Sequence, residues 1–93
     1  MLRIEALEVD DQILEKIESR HGVPLHEVEE ACHSPHRHVR RGRTGLYKVF
    51  SQTEAGRHLL VVLVDRGGGI WRVVTAREMT GQERRLYRRA GGD

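Results

Sequence analysis

Residues 59–64 read LLVVLV, apolar at every position. A strand sends successive side chains to opposite faces of its sheet, so such a run is stable only where other elements cover both faces. The chain must therefore build layers on either side of a sheet, with this segment at its centre. The flanking stretches fit: LYKVFSQT (46–53) and IWRVVTA (70–76) are β-branched or aromatic-rich, and EAG (54–56) and RGGG (66–69) supply hairpin connections. In the last strand Ile70, Arg72 and Val74 are expected to face one way, and Trp71, Val73 and Thr75 the other. Residues 3–7 alternate enough for one more short strand.

Helical spacing dominates elsewhere. Val9, Ile13, Leu14 and Ile17 recur with a 3.6-residue period, Asp10 or Asp11 is placed to cap them, and Gly22 is placed to end the helix. Pro24 suits the first turn of a second helix, with Leu25, Val28 and Cys32 on one side and Glu27, Glu29 and Glu30 facing water. Thr80 and Glu83 form the S/T-x-x-E capping box of a terminal helix. Its stripe is Glu83, Leu86, Tyr87 and Ala90, with Arg84, Arg85, Arg88 and Arg89 off it. The expected class is α+β, two N-terminal helices and a C-terminal helix packed on a mainly antiparallel sheet of about four strands. Residues 1–93 make one domain.

No apolar run approaches the roughly 20 residues that span a bilayer, and Met1 is not followed by the apolar segment of a secretory signal. Cys32 is the single cysteine, so no internal disulfide forms. A cytoplasmic protein without a membrane partner is expected. The net charge of +2 conceals a division. Residues 1–31 carry −6 and residues 32–93 carry +8, which points to a basic surface that gathers polyanions.

The basic half opens with ACHSPHRHVRRGRTGLYK (31–48), which contains no acid. Cys32, His33, His36 and His38 come from seven consecutive residues, whereas structural zinc sites draw ligand pairs from two segments, so no metal site is expected. With Pro35 and Gly42 interrupting regular structure, the stretch reads as a connection into the first strand of the hairpin region. Arg37, Arg40, Arg41 and Arg43 can each engage a phosphate there, or form only a solvated loop. The rings Trp71, Tyr47, Tyr87 and Phe50 are too few for an extended single-strand channel. The basic last helix has no helix-turn-helix partner.

HGVPLHEVEEA, TEAGRHLLVVLV and VVTAREMTGQERRLY together resemble the BrnT-type ribonuclease toxins of the RelE/ParE-like superfamily. The likeness rests on Gly56-Arg57 entering the apolar strand, followed by Thr75-Ala76-Arg77, Glu83-Arg84 and Tyr87. It implies a RelE-like fold and a toxin that cleaves RNA without metal or cofactor through 2′-OH attack. The partners it implies are RNA and a cognate antitoxin, usually of ribbon-helix-helix type; a homodimer is a separate expectation. The chain departs from the family pattern at Glu8-Val9-Asp10, Gly45-Leu46 and Ser51-Gln52. A regulator that binds RNA or an antitoxin without cutting is the alternative.

Cleavage of this kind needs a base, donors for the growing phosphate charge, and an acid for the leaving oxygen. Arg57 and Arg77 lie at the ends of paired strands, and are expected to share the scissile phosphate unless Arg77 pairs with Glu78 or Glu83. His58 is the candidate proton carrier and Lys48 a flanking charge, with Arg40, Arg41, Arg43 and Arg72 gripping backbone. Tyr87 is expected in the core and Glu83 at the cap.

Overall fold

The computed structural model describes residues 2–91. In chain order the elements are β1 (Ala6–Glu8), α1 (Asp11–His21), α2 (Leu25–His33), β2 (His38–Arg41), β3 (Leu46–Gln52), β4 (His58–Gly67), β5 (Ile70–Glu78) and α3 (Gly81–Arg89). The strands make one five-stranded sheet in the order β1-β5-β4-β3-β2, antiparallel except where β1 runs parallel to β5. The apolar run thus occupies the middle strand, as its composition demands.

The sheet has five strands where about four were expected. The added one is β2, which lies in the stretch read as a connection. Two features make it a strand, one of them a contact distant in sequence. The Arg37 guanidinium donates to the carbonyls of Cys32, at 2.7 Å, and Leu2, fixing the exit from α2. The chain then turns back at Thr44 and Gly45, whose φ values of 53° and 76° are left-handed as tight hairpins require. The β2–β3 ladder that results sets Arg40 directly opposite Lys48.

Caps fall where the side chains allow them. Asp10 accepts from the Ile13 N–H at 2.8 Å, and Gly22 ends α1 in the left-handed region. Thr80 and Glu83 complete the capping box of α3. Among the described residues no helix is long and apolar enough to cross a membrane.

The two faces of the sheet carry different layers. On one, Ile17, Val23, Val28, Ala31 and Cys32 from the α1–α2 layer pack on Val49, Leu59, Val61, Leu63, Trp71, Val73 and Ala76. On the other, Met79 and Tyr87 pack on Phe50 and Leu60, with Val62 and Leu86 at the margin. The acidic N-terminal segment and basic α3 are thereby held on opposite sides of the sheet. Glu27 and Glu30 do not simply face water, since Glu27 pairs with Arg57 and Glu30 accepts from the Glu54 N–H.

β5 departs from strict alternation. Val62 pairs with Thr75 but the next residue, Leu63, pairs with Val73, so Val74 is an extra residue in a bulge. Thr75 accordingly leaves the face of Trp71 and Val73, which Ala76 rejoins. Every side chain beyond the bulge is switched to the face opposite the one that plain alternation assigns.

The buried Ser51 hydroxyl has no hydrogen-bond partner among the described residues. An unmet buried polar group costs about 1–3 kcal/mol. Ser51→Ala is therefore expected to raise the thermal midpoint by roughly 4–8 °C per kcal/mol gained, measured by calorimetry. A lowered midpoint would show that the hydroxyl is satisfied in solution.

Candidate nucleic-acid interface

The smaller layer leaves space beside it. Tyr87 anchors α3, its ring fully buried and its hydroxyl donating to the His36 carbonyl at 3.0 Å. Between α3 and the β2–β3 hairpin lies a cleft of about 790 Å³, lined by Arg40, Arg41, Gly42, Lys48, Phe50, Thr80, Gln82, Glu83, Arg85, Leu86 and Arg89. Its α3 wall follows helical spacing, since residues 82, 85, 86 and 89 share one side of a helix.

Arg40, Lys48, Arg85 and Arg89 line this cleft, and none of the four has a carboxylate partner among the described residues. Arg40 and Lys48 also stand opposite each other across the ladder, an arrangement in which like charges are destabilising. Arg41 turns its guanidinium over the Tyr47 ring at 5.5 Å and donates to the Tyr47 hydroxyl.

Glu83 is the one acid that lines the cleft. Both its oxygens accept from the Arg77 guanidinium, at 2.7 and 2.9 Å, and one also accepts from the Thr80 N–H at 2.8 Å. The Arg77 hydrogen bonds, aided by the Thr80 backbone, hold the Glu83 carboxyl down at about 2.

Arg57 and Arg77 do not share a phosphate site. They sit at the same end of the sheet, but the Val74 bulge pairs Arg77 with Leu60 and puts it on the α3 face. Arg57 points to the α1–α2 side, where it binds Glu78 at 2.8 Å, Glu27 at 2.6 Å and the Gly22 carbonyl at 2.7 Å. Glu78 and then Glu27 hold the Arg57 guanidinium still more firmly charged than usual. It is a clamp from the α1–α2 turn to the end of the sheet. Arg77 pairs with Glu83, the alternative weighed from the sequence.

The other residues named from the sequence divide in the same way. Lys48, Arg40 and Arg41 line the cleft, while Arg43 stands exposed at the hairpin turn. Arg72 pairs with Asp10 at 3.1 Å, at the start of α1 and apart from the cleft. His58 packs edge-on against Tyr87, ring centroids 5.8 Å apart, and is not among the cleft residues. Arg85 and Arg89 join the site from α3 without having been expected there, and their i, i+4 spacing beside Leu86 is the signal in the sequence. Burial pushes the Cys32 thiol up to about 12. Among the described residues no three His, Cys, Asp or Glu side chains gather to hold a metal.

The α+β fold has a counterpart among solved structures. One solved structure similar to this chain is BrnT of Brucella abortus, a ribonuclease toxin, with a TM-score of 0.68, 12% identity, and coverage of 81% of this chain and 96% of that one. The likeness is one of fold, and it agrees with the resemblance drawn from the sequence. No family model and no curated protein matches the chain.

Arg57→Ala leaves a largely buried Glu27 without its partner, and is expected to cost about 2 kcal/mol. The thermal midpoint should fall by roughly 8–16 °C. A shift below about 2 °C would mean that the clamp does not act in solution.

The Glu83 pairing makes a second prediction. Its folded pKa lies below the ordinary carboxylate value of 4.5, so its stabilisation is present above that value and is lost as pH falls toward about 2. In Arg77→Gln the Glu83 titration, followed by carboxyl-carbon NMR, should move up toward the ordinary value. An unmoved titration would assign the depression to another cause.

Proposed function

We propose that the chain is the toxin component of a toxin–antitoxin pair, a cytoplasmic endoribonuclease that takes the RNA backbone in the cleft between α3 and the β2–β3 hairpin. The observation that carries this reading is the group of unneutralised cations, Arg40, Lys48, Arg85 and Arg89, lining one cleft. The fold likeness to a ribonuclease toxin supports it.

Phosphate is the ligand that removes the repulsion between Arg40 and Lys48, and guanidinium and ammonium groups suit it without reading sequence. In the reaction the RNA 2′-oxygen bonds to phosphorus and the bond to the 5′-oxygen breaks. The 2′-OH proton passes to water or a side chain, and the departing 5′-oxygen takes a proton from water, leaving a 2′,3′-cyclic phosphate and a 5′-OH. Lys48 and Arg40 would hold the charged phosphate oxygens, with Arg85 and Arg89 on the flanking backbone. Arg77 would act by keeping Glu83 ionised and in place, where its remaining lone pairs can accept from a ribose hydroxyl. A basic ribbon-helix-helix antitoxin with an acidic segment would silence the protein by occupying the same cleft.

A second reading, binding of RNA or antitoxin without cleavage, is favoured by the pairing of Arg57 and Arg77 with carboxylates. One experiment separates the two. Labelled RNA is incubated with the protein in EDTA, binding is followed by anisotropy, and products are resolved on a gel. The toxin reading expects cyclic-phosphate ends, with Lys48→Ala plus Arg85→Ala reducing affinity and cleavage by tenfold or more. Binding without products would leave the non-catalytic reading, and no RNA binding at low salt would sink the nuclease reading and leave only antitoxin binding.

A further inference from the structure

The cleft accounts for only half of the charge on α3. Arg84, Arg85, Arg88 and Arg89 are all exposed, and none makes an ion pair among the described residues. Residues four apart stand nearly in line on a helix and adjacent residues lie about 100° apart. The four side chains therefore form two rows, with Arg85 and Arg89 on the cleft side and Arg84 and Arg88 farther round the helix.

Each row places like charges at i, i+4, which destabilises a helix. Arg88 and Arg89 lie in the last turn, where the helix dipole favours cations, but Arg84 and Arg85 gain nothing from it. Rows set about 100° apart on a helix about 10–12 Å across point in different directions, so one straight backbone does not lie along both. Two separate lines of phosphate satisfy both.

The aromatic side chains make the same choice. Single-strand binders stack bases on exposed rings. Here Phe50 is 3% exposed, Trp71 4% and Tyr87 0%, and Tyr47 lies under Arg41 and edge-on to Trp71. No ring in the cleft is open to a base. Base-paired RNA needs none, because it is recognised through backbone geometry and ribose hydroxyls.

We propose that α3 lies across base-paired RNA, with Arg85 and Arg89 on one phosphate backbone and Arg84 and Arg88 on the other, so that the cleft selects helical RNA over an extended single strand. This rests on the RNA reading of the cleft, and names the substrate class of that site.

The test uses the full chain and 2′-O-methyl RNA, which keeps the A-form and lacks the nucleophile. Affinities are measured for a duplex of about 16 base pairs, a single strand of the same length and a polyglutamate peptide. The duplex is expected to bind at least about tenfold tighter than the single strand. Arg84→Ala with Arg88→Ala should lower duplex affinity about tenfold more than single-strand affinity, and reduce the salt slope on duplex by about 2. Circular dichroism should show this double variant folded, and Arg84→Gln with Arg88→Gln replaces the alanine pair if it does not. Equal or tighter single-strand binding, or an equal loss on both RNAs, would overturn this inference and leave the cleft reading standing. Binding of polyglutamate with neither RNA bound would overturn both.

Discussion

The structure depends on the need of β4 for cover on both faces. A middle strand that is apolar throughout residues 59–64 is unstable with either side open to water, so the chain must supply two layers. It supplies unequal ones. The α1–α2 pair forms the larger layer and is acidic, with six carboxylates against Lys16 and Arg20, while the single helix α3 forms the smaller and is basic. A charge imbalance along the chain thereby becomes a separation of charge across the sheet. Because α3 is narrower than the face it covers, a cleft remains beside it, and that cleft lies on the basic side.

Within that frame, the role of each arginine is decided by what its planar fork reaches first. Carboxylate and phosphate present the same oxygen geometry to a guanidinium. Arg57, Arg72 and Arg77 each find an internal carboxylate, and so fasten the fold. Arg40, Arg85 and Arg89, with Lys48, find none and are left facing the cleft. The Arg77–Glu83 pair joins the two groups, because it docks the start of α3 and places an ionised carboxylate among the cations.

Much of the fold was legible because it follows local rules. Gly22 ends α1, Thr80 and Glu83 cap α3, Tyr87 is in the core, and β4 is central, each through a side-chain property that acts within a few residues. What was missed depended on partners distant in sequence. β2 is a strand because Arg37 reaches carbonyls on α2 and near the N-terminus, and because β3 offers it a free edge. The Val74 bulge is invisible in a stretch that reads as uniform alternation, yet it decides which face Arg77 occupies.

Sequence alone determined the layered α+β architecture, the segregation of charge and the arginine-rich character of the surface, since hydrophobic periodicity, capping and composition are local properties. Only the tertiary structure decided which cations remain open to a ligand. One inserted residue in β5 separates Arg57 from Arg77, and the docking of α3 on the sheet sets Arg85 and Arg89 in one cleft with Arg40 and Lys48. Contacts of that kind depend on register and on the docking of whole elements, which no single stretch of the chain encodes.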